Sequence, residues 1–298
     1  MEAKILSGKE VADSVLEGLK GRIARCKEQG VTPGLAVVLV GDDPASQVYV
    51  RNKSLACESL GILSETILLP ADTDQETLNA LVDALNTDTR FHGVLVQMPL
   101  PKHLNELEVI RRILPEKDVD GFHPENIGRL IIGENTFLPC TPAGVMEMLR
   151  YYNIETSGKH VVVVGRSNIV GKPMVNLMYQ RLPGANATVT VCHTGTPDIR
   201  AFTEKADILI VAAGVPGMIG EDMVKEGAIV IDVGVNRVED PARKKGFRLT
   251  GDVDFEKVKG KTSAITPVPG GVGLMTIAML MQNTVKAAEE QLNRKKWQ

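Results

Sequence analysis

Short runs dominated by Val, Leu and Ile recur along the chain: LAVVLV from Leu35, GVLVQM from Gly93, HVVVVG from His160, ATVTVC from Ala187, DILIVAAG from Asp207 and AIVIDVG from Ala228. Strands covered on both faces read this way, because a side chain is buried whichever way it points. Between these runs the apolar positions change to helical spacing. Val11, Val15, Leu19 and Ile23 fall at intervals of four, and Leu78, Leu81, Val82 and Leu85 mark a second helix. Regular alternation of the two patterns predicts an α/β protein built on parallel sheets with right-handed crossovers. The closing stretch, residues 272–296, carries Leu274, Ala278, Met281 and Val285 at helical spacing and predicts a helix that caps one of the domains.

A length of 298 residues exceeds the common size of one domain, so two unequal domains are expected. The segment KDVDGFHPENIGRLIIGENTFLPCTP, Lys117 to Pro142, has little periodicity and several Gly and Pro residues, and it is read as the linker. The boundary is placed there: residues 1–140 with a C-terminal helix at 273–298 form one domain, and residues 141–272 the other.

Composition narrows the function. Hydrophobic residues make up 43% and charged residues 24%, which excludes a disordered or collagenous chain. With 34 Lys+Arg against 37 Asp+Glu, no whole-molecule field favours nucleic acid or anionic lipid, and neither is expected as a partner. Cys26, Cys57, Cys140 and Cys192 lie far apart without metal-ligand spacing, so they are read as reduced thiols and no metal site is expected. The opening MEAKILSGKEVADS lacks an apolar core of signal-peptide length, and no run reaches membrane-spanning length. A cytoplasmic enzyme is the expectation.

Candidate chemistry clusters at the ends of the apolar runs. GRSNIVGKP, Gly165 to Pro173, sits between a strand and a helix start, where free backbone N–H groups and a positive helix end can hold a phosphate. Gly165 and Gly171 are six apart, so the GxGxxG fingerprint is missed, and the spacing alone fits a plain glycine-requiring turn equally well. The next strand ends in His193 and Thr194 with no acidic residue to take a ribose hydroxyl; together with Arg166 this favours a 2′-phosphate and hence NADP. In the first half, Ser46, Tyr49 and Lys53 share one helix face, and Tyr49 and Lys53 form an i, i+4 pair. A phenol beside a desolvated amine can position it as a base, although an isolated helical Lys is usually solvated. Gln97 stands at a strand's carboxyl end, where ligands bind in open α/β sheets, or it simply caps backbone groups there. Asp120, next to Gly121, fits an ordinary Asx turn as readily as a ligand contact.

Taken together, VGDDPASQVYVRNK, GVLVQMPLP, KDVDGFHPENIGRL, PCTPAG, GRSNIVGKPM, VIDVGVNR and TPVPGGVG resemble, in order, segments of the bacterial-type bifunctional methylenetetrahydrofolate dehydrogenase/methenyltetrahydrofolate cyclohydrolases. The resemblance covers about residues 35 to 284. It implies a catalytic N-terminal domain, a Rossmann-like NADP-binding domain, a cleft between them, a C-terminal helix returning to the first domain, and a homodimer. It also implies site residues. Lys53 corresponds to the catalytic lysine, Tyr49 to the phenol that orients it and stacks near the folate, Gln97 to the amide that positions Lys53, and Asp120 to the carboxylate that grips the pterin. Gly165, Arg166 and Ser167 match the phosphate-binding turn, Thr194 the 2′-phosphate contact and Val235 the nicotinamide side. Pro269, Gly270 and Gly273 would flank the folate. One departure stands out: Leu274 occupies a position where the family usually has Pro, which is expected to relax a turn beside the active site.

The implied activity is oxidation of 5,10-methylenetetrahydrofolate by NADP, followed by hydrolysis to 10-formyltetrahydrofolate. The alternative is a dehydrogenase without effective cyclohydrolase activity.

Overall fold

The computed structural model describes residues 3–243 and 246–295. In chain order the elements are β1 (Lys4–Ile5), α1 (Gly8–Glu28), β2 (Gly34–Val40), α2 (Pro44–Leu60), β3 (Leu63–Leu69), α3 (Gln75–Thr87), β4 (Gly93–Val96), α4 (Glu106–Arg112), α5 (Pro124–Ile132), α6 (Cys140–Tyr151), β5 (His160–Val164), α7 (Gly171–Met178), β6 (Thr188–Cys192), α8 (Arg200–Thr203), β7 (Ile208–Val211), β8 (Ile229–Asp232), β9 (Asn236–Glu239), β10 (Phe247–Thr250), α9 (Phe255–Val258), β11 (Ala264–Ile265) and α10 (Val272–Lys295). They divide into two compact units. The first comprises Ser14–Cys140 with Ile277–Gln298, and the second Met1–Asp13 with Thr141–Thr276.

The first unit is built on a three-stranded parallel sheet of order β3-β2-β4. All seven residues of β2 are buried, as its unbroken GLAVVLV sequence requires. Ala36, Val38 and Val40 alternate along β2 and join Val94 and Val96 of β4 and Leu78, Val82 and Leu85 of α3 in one core. The strand β3 escaped the sequence reading because it lies at the sheet edge. Its LSETILL has only exposed and half-buried positions, so it lacks the fully apolar signature. The helix α2 starts where its sequence says it should: Asp43 accepts from the Ser46 N–H at 2.7 Å, Pro44 occupies the first turn, and Gly61 closes the helix at φ 66°.

The segment read as a linker is instead an ordered part of this unit. It contains α5, and Lys117, Asp118 and Val119 are buried. The turn before α5 is held by side-chain bonds of Asp118 and Asn126, which no apolar pattern announces. Residues 277–295 of α10 also belong here. Asn283 Nδ2 donates to the carbonyls of Val119 (2.8 Å) and Leu138 (3.0 Å), and Arg22 pairs with Glu289 through two bonds. Residues 296–298 of the predicted helix lie outside the described residues.

The second unit carries a six-stranded sheet of order β1-β11-β8-β7-β5-β6, parallel throughout, plus the antiparallel hairpin β9–β10. Counted from β5, the five strands β6-β5-β7-β8-β11 run 2-1-3-4-5, a doubly wound order whose direction of progression switches between β5 and β7. Here the expected boundaries need correction at both ends. Residues 1–13 were assigned to the first domain, yet Lys4 and Ile5 pair with Ala264 and Ile265, too short a match to show in a hydrophobic pattern. Likewise residues 273–276 group with the second unit, and the division falls within α10.

Candidate active site

In the first unit, chemistry gathers at the carboxyl ends of β2 and β4. The buried face of α2 runs through Ser46, Val50, Lys53, Cys57 and Leu60, so packing carries the Lys53 stem into the unit and leaves it 7% exposed. Its Nζ donates to Gln97 Oε1 at 2.9 Å, 44 positions away in sequence. Gln97 follows β4 directly; its N–H donates to Val38 O at 2.8 Å and its Nε2 to Met98 O at 2.7 Å. With both ends of the amide engaged, its oxygen is aimed at the amine. Burial pushes the carboxyl of Asp120 above the ordinary carboxylate range; the positive charge of Lys53 pulls it back down, and Asp118 adds to the rise. The Cys140 thiol, which donates to the Val119 carbonyl at 3.5 Å, is pushed well up by burial and by the nearby Asp120.

The structure therefore brings Lys53, Gln97 and Asp120 together, with Tyr49 at their margin. The phenol lies at the margin of the buried face of α2, 49% exposed, with no hydrogen bond to Lys53. The amine is positioned by Gln97 alone of the two. Sequence reasoning missed two supports. Asp118, 3% exposed, accepts from the N–H groups of Gly121 (3.2 Å) and His123 (2.7 Å) and from Asn126 Nδ2 (2.8 Å), and so shapes the turn that carries Asp120. Cys140 was read only as a reduced thiol. The tandem acids of KDVDG are the available signal: Asp118 is buried and folds the turn, and Asp120, half-buried, sits on it two residues later.

In the second unit, Gly165 leaves β5 at φ 125°, and an added Cβ would collide with the Ala212 carbonyl at the exit of β7. Gly171, the first residue of α7, packs against Gly165 O with equal lack of room. The Ser167 hydroxyl accepts from the N–H groups of Val170 (3.1 Å) and Gly171 (3.3 Å), so the helix start is capped from within. The N–H groups that remain for an anion are those of residues 166–169, which meet no protein acceptor among the described residues. These donors lie on the glycine turn that carries Gly165, Arg166 and Ser167. Arg166, Ser167 and Thr194 are exposed. The geometry fits a dinucleotide: a glycine turn at the sheet's switch point, unsatisfied donors, and an exposed guanidinium with no acid at the end of the neighbouring strand.

Val235, 45% exposed, stands just beyond β8, and Gly273 lies next to it, with Val235 Cγ2 3.9 Å from where a Cβ would be. Pro269 is exposed, and Gly270 at φ 108° accepts from the Gly8 N–H at 2.9 Å. The Leu274 N–H donates to Gly271 O at 3.3 Å, a bond no proline could make, so the turn is tied rather than relaxed.

Comparison with known proteins matches both units. Residues 6–120 fit the model of the tetrahydrofolate dehydrogenase/cyclohydrolase catalytic domain, and residues 139–292 that of the tetrahydrofolate dehydrogenase/cyclohydrolase NAD(P)-binding domain. The chain belongs to the tetrahydrofolate dehydrogenase/cyclohydrolase family. It is 56% identical over 288 residues to the bifunctional protein FolD of Chloroherpeton thalassium, covering 96% of this chain and 98% of that protein. The crystal structure of the bifunctional FolD enzyme from Campylobacter jejuni superposes with a TM-score of 0.92 at 49% identity, over 97% of this chain and 99% of the other. The Trypanosoma brucei FolD, solved with NADP cofactor and inhibitor, gives a TM-score of 0.92 at 39% identity, over 98% of this chain and 99% of the other. These tetrahydrofolate dehydrogenase/cyclohydrolase matches span nearly the whole chain, so both units are accounted for by one family.

Proposed function

We propose that this chain oxidises 5,10-methylenetetrahydrofolate with NADP and hydrolyses the resulting 5,10-methenyl cation to 10-formyltetrahydrofolate. The observation that carries the reading is the buried amine of Lys53, held by Gln97 beside Asp120. Removing a hydride from a carbon bridging two nitrogens releases no proton, so the first step asks the protein for positioning more than for acid or base. NADP, when bound, supplies the hydride acceptor. The N–H groups of the Gly165 turn, with Arg166 and Ser167, would hold its pyrophosphate and 2′-phosphate; Thr194 would add a hydroxyl contact, and Val235 would line the nicotinamide.

Hydrolysis makes different demands. Water adds its oxygen to the cationic carbon and must lose a proton, for which Lys53 would be the acceptor. Collapse of the adduct breaks the bond to N5, which gains a proton as the new carbonyl forms. Gln97 keeps the amine from swinging away, and Asp120 bonds the pterin ring. The half-exposed ring of Tyr49 offers a stacking surface to the folate rather than a bond to the amine. The protein would act in the cytoplasm as a homodimer. No helix among the described residues is long and apolar enough to cross a membrane.

The test is product analysis of the wild-type enzyme given 5,10-methylenetetrahydrofolate and NADP. Equal yields of NADPH and 10-formyltetrahydrofolate are expected. Accumulating methenyl product would leave the dehydrogenase alone, and equal use of NAD would remove Arg166 and Thr194 from cofactor selection.

A further inference from the structure

Two aspartates of the second unit are sealed from solvent: Asp232, the last residue of β8, is 3% exposed, and Asp252, just after β10, is 0% exposed. The donors they meet are neutral. Asp252 Oδ2 accepts from the N–H groups of Ala213 (2.7 Å) and Gly214 (2.8 Å), and its Oδ1 accepts from Asn236 Nδ2 (2.7 Å). Asp232 Oδ1 accepts from Gly234 and Asp252 N–H at 3.0 Å each, and its Oδ2 from Val253 N–H at 2.9 Å. Gly234 lies against the Asp252 carboxylate and Gly251 against that of Asp232, where any Cβ would collide.

Burying a carboxylate among neutral donors is costly, and an apolar side chain of similar volume would cost less. Such a side chain could not bond two separate loops at once. Ala213 and Gly214 follow β7, and Gly234 to Asn236 follow β8; both are carboxyl-end exits, the edge at which α/β sheets take their ligands. The loops that Asp252 ties hold out Val215 and Val235, exposed apolar side chains at 49% and 45%.

We propose that Asp252 is a positioning residue for the nicotinamide half of the dinucleotide: it fixes the exits of β7 and β8 so that Val215 and Val235 present a set apolar face. The inference rests on the NADP reading above. It contrasts with the Gly165 turn, which addresses the phosphates and has no bond to Asp252.

Two ligands separate the halves. NADP carries both, whereas adenosine 2′,5′-bisphosphate lacks the nicotinamide. In Asp252→Asn, and in the milder Asn236→Ala, NADP affinity should fall roughly tenfold, while the bisphosphate should bind within about twofold of wild type. The primary deuterium isotope effect on hydride transfer should rise in both, a change that a purely structural role would not produce. Should Asp252→Asn fail to fold, Asn236→Ala decides. A folded Asn236→Ala enzyme with wild-type NADP affinity and isotope effect would overturn the proposal, as would equal weakening of both ligands. Wild-type enzyme that binds neither ligand overturns the underlying functional reading instead.

Discussion

The two units solve different problems with different materials. In the first, the candidate reactive groups are drawn in and bound side chain to side chain: buried Lys53 to half-buried Gln97, with half-buried Asp120 close enough to feel the lysine's charge. In the second, the candidate contact groups Arg166, Ser167 and Thr194 are exposed, and the buried polar atoms are one step back, in carboxylates that hold backbone loops. A base must be kept at one spot in a dry setting, because small misplacements cost large factors in rate. A cofactor is large and brings its own charge, so the protein can leave its contact groups wet and invest in the shape of the loops beneath them.

The sharpest way to break this contrast is Lys53→Met. Cyclohydrolase turnover should fall on the order of a thousandfold, while NADP affinity, measured by fluorescence titration, should stay at the wild-type value. A smaller effect is expected in the other unit. Arg166→Ala should weaken NADP roughly 10- to 100-fold by removing a charge-assisted phosphate contact, with methenyl hydrolysis unaffected. Loss of hydrolysis in that variant would mean that the two units do not divide the work as described.

The smallest effect concerns stability. Burial, opposed by the backbone donors, pushes the carboxyl of Asp232 up from 3.8 to about 6. The folded protein thus keeps a proton that the unfolded chain gives up near its ordinary carboxylate value. The stabilisation from that proton is fully present below about pH 4 and is lost as pH rises through about 6. Between pH 4.5 and 7, wild type should lose about 2 kcal/mol relative to Asp232→Asn, as read from urea unfolding of both proteins at several pH values. Parallel stability curves would show that the carboxyl is not held neutral.

Much of the fold could be read from the sequence, because fully buried strands and amphipathic helices announce themselves. The strands β2, β4, β5, β6, β7 and β8 all lie in the Val- and Ile-rich runs. What escaped was structure held by something other than apolar periodicity. The edge strand β3 is half solvated, β1 and β11 are two residues long, and the turn around Asp118 is folded by hydrogen bonds to a carboxylate. The site shows the same division. Lys53 and Gln97 were visible by helix face and strand end, but their direct bond joins residues 44 apart and no spacing rule could state it. Tyr49 shows the same limit. Sharing a face at i, i+4 places it near Lys53 without placing it on the buried side, and only packing decides which.

The central claim is that an amide fixes a buried amine for hydrolysis. The most direct measurement is the rate of methenyl hydrolysis by Gln97→Ala at saturating folate. Gln97→Ala should show a kcat about a hundredfold below wild type with folate affinity changed only a few-fold. An unchanged kcat, with the loss confined to folate affinity, would contradict it.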